Sequence, residues 1–290
     1  MVIVKLREGL GNQLFQYAVA RQIAYRNQVP LKLDISAFAR NQLRTYQLDH
    51  FNISGEIAIP NHMPWAKQAN LRGKAARWLE RFRPYYRRSW LVEQQWFRFD
   101  ANILRAPRHV YLQGFWQSEK YFKAIEPIIR TEFTLKEKLA AANQAISEQI
   151  ARVNSVSLHV RRGDYIADPQ IHQLFGVCSL DYYAAAVQKV STFLPDPHFF
   201  VFSDDPAWVQ KNVKLAHPMT LIDHNGPQQD YEDLQLMSLC QHHIIANSSF
   251  SWWGAWLNPN PNKVVLAPRS WLKGGRWATP DLLPESWIKL

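Results

Sequence analysis

The segment His159-Val160-Arg161-Arg162-Gly163-Asp164-Tyr165 places two adjacent arginines directly after an apolar run. Guanidinium groups present rigid forks of N–H donors and clamp phosphate oxygens bidentately. Two of them at the end of a buried strand are costly unless an anion meets them. The chemistry this suits is holding a diphosphate and neutralising the charge that develops when it leaves. A plain ion pair with Asp164 is the competing reading; the buried character of the strand favours the anion.

Three more segments put a polar run straight after an apolar one. Gly9-Leu10-Gly11-Asn12-Gln13 offers glycines that let a backbone approach a phosphate ahead of a helix N-terminus. Taken alone it reads more readily as a tight turn, and Leu14 stands where a dinucleotide fingerprint needs its third glycine. Asn247-Ser248-Ser249-Phe250-Ser251-Trp252-Trp253-Gly254 is either a second phosphate seat or an ordinary serine cap, and both can hold at once. Phe202-Ser203-Asp204-Asp205 carries paired carboxylates, able to bind a metal or to cap the helix that Pro206 opens. The sequence has no Asp-x-Asp triplet and no His/Cys cluster with ligand spacing, so charge stabilisation by arginine without metal fits better.

These segments need strands to end where they begin. The spacing predicts a strand over 2–6, a loop over 7–13, a helix over 14–26 and a strand over 31–35, the start of a βαβ unit. The stretch 40–150 is less regular, with a strand at 110–112 and helices near 119–130 and 136–151. After it, strands at 156–160, 199–202, 220–222, 243–246 and 264–267 alternate with helices at 181–193, 206–213, 231–240 and 251–257. That is the pattern of a doubly wound α/β domain, whose ligands sit beyond the carboxyl ends of the strands. Two such halves imply Rossmann-like domains over 1–152 and 153–290, facing a cleft.

The chain has 290 residues, 47% of them hydrophobic and 20% charged, enough to pack two cores and unlike a disordered composition. The two cysteines, Cys178 and Cys240, stand alone, which argues against a disulfide framework. No apolar run reaches transmembrane length and none resembles a signal peptide, so a cytoplasmic location is expected. The net charge of +10 is concentrated: eleven basic residues against three acids lie between Lys67 and Arg108, interleaved with aromatics. A solvated helical face explains this as well as contact with an anionic membrane does; nucleic-acid binding explains it least.

Taken together, 9–18, 159–165, 202–205 and 248–257 resemble glycosyltransferase family 11, in order and spacing, over nearly the whole chain. The resemblance implies a GT-B fold of two facing Rossmann-like domains with parallel sheets, and metal-independent, inverting transfer of fucose from GDP-fucose to the 2-hydroxyl of a galactoside. The N-terminal domain would serve the acceptor and the C-terminal domain the donor. It further implies an O-antigen acceptor on a polyprenyl carrier, and hence peripheral contact with the inner membrane through 67–108. By matched position, Arg161 holds the β-phosphate with Arg162 beside it, and His159 and Asp233 meet the guanine edge. Ser249 and Phe250 lie along the phosphates, and Asn247, Ser248, Ser203 and Asp204 belong to the donor-binding set. Gly11 and Asn12 approach from the other domain, Asn12 reaching the fucose or pyrophosphate. For a general base, Asp164, Asp34 and Glu119 stay open beside a dissociative reaction with little base help. Another GDP-sugar donor or another linkage is the main alternative, and a nicotinamide-dependent oxidoreductase with Asp34 on a ribose is a weaker one.

Overall fold

Val2-Ile3-Val4 has no polar side chain, and all three residues are at most 4% exposed. Such runs persist where both faces of a parallel sheet are covered. The computed structural model describes all residues except 41–43, 60–61, 63–77, 79, 81 and 274–278. It divides into two compact units: Met1–Lys136 with Thr279–Leu282, and Glu137–Ala278 with Leu283–Leu290. Every strand pair among the described residues is parallel.

Unit 1 contains β1 (Val2–Lys5), α1 (Leu10–Asn27), β2 (Leu31–Asp34), β3 (Glu56–Ile57), β4 (Trp90–Val92), β5 (Val110–Gln113) and α2 (Glu126–Glu132). Its sheet has the order β3-β2-β1-β5-β4. The winding reverses between β1 and β5, so the loops after those two strands define its switch point. The helix after β1 starts earlier than the glycines suggest. Gly9 caps it in an extended conformation, and its carbonyl accepts the N–H groups of Asn12 and Gln13 at 2.9 and 3.2 Å. Gly11, Asn12 and Gln13 therefore lie in the first turn of α1 rather than in a loop. Gln13 is wholly buried and donates to the carbonyls of Glu8 and Thr45, which fixes that turn.

Unit 2 contains α3 (Ala141–Arg152), β6 (Asn154–Val160), α4 (Gly163–Ala167), α5 (Pro169–Leu174), α6 (Leu180–Ser191), β7 (Pro197–Ser203) and α7 (Pro206–Asn212). It continues through β8 (Met219–Ile222), α8 (Asp230–Leu239), β9 (His242–Ile244), α9 (Ser249–Leu257), β10 (Val265–Ala267) and β11 (Ile288–Lys289). Read from one edge, the sheet runs β8-β7-β6-β9-β10-β11, a Rossmann order with its switch point between β6 and β9. Alternate residues of β7 serve opposite faces. Phe199 and Val201 pack with Val156, Tyr183 and Val190; Phe200 and Phe202 pack with Ile150, Leu236 and Met237. Ile150 is why α3 belongs to unit 2 and why the division falls after Lys136 rather than near 152. Gly254 brings α9 close to α8: a Cβ there would lie 2.9 Å from the Cβ of Met237.

Candidate functional site

The loops at the unit 2 switch point carry the arginine pair. β6 delivers Arg161 and Arg162, and α4 begins at once with Gly163. Arg161 Nη2 donates to Asp164 Oδ1 at 2.6 Å, and its Nη1 lies 3.0 Å from Asp204 Oδ2. Burial works to lower the Arg161 pKa, but the carboxylates of Asp204 and Asp164 outweigh it and hold the guanidinium above its ordinary value. Arg162 lies 3.3 Å from Asp205 Oδ2, and its guanidinium carbon sits 3.8 Å from the centre of the Trp208 ring. The ion pair with Asp164 is thus made, and two further aspartates join it. Two arginines against three aspartates are an oriented cage, not a bare cationic patch. The planar fork of Arg161 is fixed in place with several N–H donors left for a ligand.

The cage depends on one glycine. A Cβ on Gly163 would fall 2.6 Å from Asp204 Oδ2. That carboxylate also accepts the backbone N–H of Arg162 at 2.8 Å. Asp205 caps α7 by accepting the Trp208 N–H at 3.1 Å, and Ser203 Oγ accepts the Asp205 N–H at 3.0 Å. The Phe-Ser-Asp-Asp segment therefore divides its work: Asp204 orients Arg161, while Asp205 meets Arg162 and, with Ser203, shapes the turn. Among the described residues, no group of three His, Cys, Asp or Glu side chains could hold a metal ion.

Across the switch point, Ser248 caps α9 by accepting the Phe250 N–H at 3.3 Å. The first turn of α9 holds no acid, and Ser249 and Phe250 are half-buried at its start. A helix N-terminus of this kind favours an anion. Asn247 is 2% exposed and donates its amide to the carbonyls of Phe175 and Trp271 at 3.1 and 3.2 Å, so its side chain binds protein loops. His159 is 3% exposed, with its ring centroid 5.6 Å from that of Phe250 and no hydrogen-bond partner at Nδ1. Burial pulls its pKa down to about 3, with Arg161 adding to the effect, so the ring is neutral.

Asp233 lies in the first turn of α8 and accepts from Asn225 Nδ2 at 2.6 Å. Burial lifts its carboxyl to about 7, against the hydrogen bond from Asn225 and with help from Asp230 and Glu232. Asn225 in turn bonds Asn143, whose amide also donates to Glu232 at 2.6 Å. Sequence reasoning missed Asn225, which lies in a polar loop with no spacing signal. Trp208 was within reach, three residues after the capping aspartate.

At the unit 1 switch point, Asn12 Oδ1 accepts from Gln117 Nε2 at 2.5 Å, joining the loops after β1 and β5. Arg7 lies over the Phe115 ring at 4.4 Å. Glu93 accepts the N–H groups of Phe115 and Trp116 at 2.6 and 3.0 Å. Glu8 and Trp116, one on each loop, hold positive φ of 67° and 47°. Non-glycine residues in that region store strain, which gathers at functional loops. Asp34 is fully buried and accepts from Tyr111 Oη at 2.5 Å and from the Ser36 N–H at 3.0 Å, which removes it from any ribose or acceptor. Glu119 pairs with Lys123 at 3.1 Å.

Two parallel Rossmann-like sheets give the chain an α/β fold of GT-B type. The fold is similar to that of NodZ α-1,6-fucosyltransferase, with a TM-score of 0.54 at 15% identity over 89% of this chain and 92% of that one. The model of "Glycosyl transferase family 11" matches residues 1–290, and the chain belongs to that family. It is 31% identical to an alpha-1,2-colitosyltransferase of Escherichia coli over all of this chain and 99% of that protein. It is 30% identical to the O-antigen biosynthesis glycosyltransferase WbnK of Escherichia coli, over 98% of this chain and 99% of WbnK. A galactoside 2-alpha-L-fucosyltransferase of Mus musculus, Sec1, is 26% identical over 89% of this chain and 64% of its own length.

Proposed function

We propose that the enzyme transfers L-fucose from GDP-β-L-fucose to the 2-hydroxyl of a galactoside in an O-antigen or similar surface glycan, with inversion and without metal. The observation that carries this is the Arg161 guanidinium after β6, caged by Asp164 and Asp204, with the acid-free start of α9 following the neighbouring strand β9. In this reading unit 2 takes the donor and unit 1 serves the acceptor. Arg161 neutralises the β-phosphate as GDP departs, and the N–H groups of Ser249 and Phe250 meet the other phosphate oxygens. The Asp233 carboxylate accepts guanine N1–H and N2–H. Asp164 is spent on Arg161, Asp34 is buried and Glu119 is paired, so leaving-group departure runs ahead of proton removal. Peripheral membrane contact is supported by Trp78 and Phe82, 57% and 74% exposed, with Arg83 and Arg87 close by in sequence. The other basic residues from Lys67 to Arg81 lie outside the described residues. Among the described residues, no helix is long and apolar enough to cross a membrane.

The likeness to an alpha-1,2-colitosyltransferase favours a second reading, the same linkage formed from a GDP-colitose donor. Calorimetry in EDTA with GDP, ADP and UDP tests the nucleotide: GDP binds far more tightly than the other two, and Asp233→Asn removes the preference. Turnover of a galactoside with GDP-fucose and with GDP-colitose then decides the sugar. Arg161→Ala abolishes turnover. Equal binding of the three nucleotides, or a fully active Arg161→Ala enzyme, sinks the proposal.

A further inference from the structure

The strands β1, β5 and β4 are neighbours in the unit 1 sheet, and the loops leaving their carboxyl ends each give one side chain to a single cluster. Arg7 follows β1, Phe115 follows β5 and Trp96 follows β4. That end of a parallel sheet is where ligands sit. The Arg7 guanidinium lies over the Phe115 ring at 4.4 Å, and Trp96 meets Phe115 at 6.2 Å between centroids and 82° between planes. Phe97 braces Trp96 from a second ring, at 6.5 Å and 84°. Although two rings hold it, Trp96 is 46% exposed, whereas Phe97 is 6% exposed.

The backbone beneath is restrained rather than relaxed. Each of the three loops has a non-glycine residue at positive φ: Glu8 at 67°, Phe97 at 59° and Trp116 at 47°. Such strain persists only where the surroundings over-determine it, and it gathers at functional loops. Glu93 supplies part of the restraint, its carboxylate accepting the N–H groups of both Phe115 and Trp116. Gly114 makes room for that approach: a Cβ there would fall 2.4 Å from the Cβ of Glu93. The same segments carry polar partners in the paired amides of Asn12 and Gln117 and the N–H donors of Arg7.

We propose that Trp96 and Phe115 form the platform on which the acceptor sugar lies, a hexopyranose that presents an apolar C–H face to the indole. The identity of that sugar rests on the proposed function. A galactoside suits the surface: its 4-hydroxyl is axial, so the hydrogens on C3, C4 and C5 share one face. In a glucoside the hydrogen on C4 points to the opposite face. The 2-hydroxyl is equatorial and stays on the rim, open to reaction. Stacking removes the C–H face and the indole from water together, while Arg7 and the amides bond the hydroxyls at the edge.

Saturation-transfer NMR with methyl β-D-galactoside, with and without GDP, tests the platform and needs no turnover. The parent enzyme saturates the hydrogens on C3, C4 and C5 most strongly. Trp96→Ala weakens binding about tenfold or more, the loss of one stacked ring face, and Trp96→Phe retains most of it. Trp96 is exposed, so a melting curve shows the alanine variant folded. In steady state with GDP-fucose or GDP-colitose, Trp96→Ala raises the galactoside KM more than it lowers kcat, as loss of uniform binding does. No binding to the parent, equal binding of methyl β-D-glucoside, or an alanine variant that binds like the parent overturns the platform. A galactoside held at Trp96 but turned over with neither donor leaves the platform standing and overturns the proposed function instead.

Discussion

Gly163→Ala adds a single methyl group, yet it acts on the whole arginine cage. The new Cβ would sit 2.6 Å from Asp204 Oδ2 and 3.0 Å from its Cγ, well inside contact distance. Asp204 cannot swing away freely, because it is tied to Arg161 at 3.0 Å and to the Arg162 N–H at 2.8 Å. Something in that group must move. Breaking one hydrogen bond to a charged group costs about 1.5–3 kcal/mol. Alanine in place of glycine in a helix returns up to about 1 kcal/mol. The net loss of stability is therefore modest, about 0.5–3 kcal/mol. Turnover suffers more specifically, since Arg161 loses one of its two carboxylate anchors. A displaced guanidinium that forfeits about 1.4–2.7 kcal/mol of transition-state stabilisation lowers kcat/KM by about 10–100-fold. Steady-state kinetics of Gly163→Ala, Asp204→Ala and the double variant test this. The double variant should be no slower than Asp204→Ala alone, because the clash has been removed. Additive losses, or a Gly163→Ala enzyme with full kcat/KM, would refute the reasoning.

The raised carboxyl of Asp233 has a pH consequence in each state. The folded protein holds a proton there more tightly than the unfolded chain, so this contribution to stability is present at low pH and is lost as pH rises from about 4 to about 7. On the proposed reading, in which the Asp233 carboxylate accepts from guanine, GDP affinity falls as pH drops through about 7, and proton release on binding shows in buffers of different ionisation heat. Asp233→Asn flattens that profile; an unchanged profile removes Asp233 from the guanine site. Gly254→Ala forces α9 away from Met237 and should cost about 1–3 kcal/mol in chemical denaturation, as overpacking does. A variant as stable as the parent would mean the helix contact is looser than described.

Five strands of unit 2 were legible because each carries an apolar run cut off by a polar segment, whereas β11 has only two residues and was not. Phe199-Phe200-Val201-Phe202 followed by Ser203 is the clearest case, and β7 extends it by only three residues. The first helix was misread at its start because Gly9 and Gly11 look alike in sequence: one is an extended cap and the other a buried residue of the first turn. β3 and β4 escaped notice because two or three residues carry no period, and their pairing partners lie far along the chain. At the candidate site, residue type singled out Arg161, Arg162 and Asp204, which the structure brings together, and the start of α9. What type does not encode is the division of labour. Asn247 reads as a ligand group but bonds loop carbonyls, and Asp34 reads as a ribose acid but is sealed under Tyr111.

The return of 279–282 to unit 1 bears on how the molecule is made. Asp281 pairs with Lys120 at 2.6 Å, 161 positions earlier, and accepts the Phe99 N–H at 2.9 Å, while β11 then completes the sheet of unit 2. During synthesis the first unit to emerge is the last to receive one of its own parts, and must wait for the whole second unit. Its final contacts close a loop spanning more than half the chain, the kind of non-local step that slows folding. Unit 1 is thus not continuous in sequence, and 1–136 expressed alone would lack the Asp281 carboxylate that meets Lys120 and the Phe99 amide in the full chain.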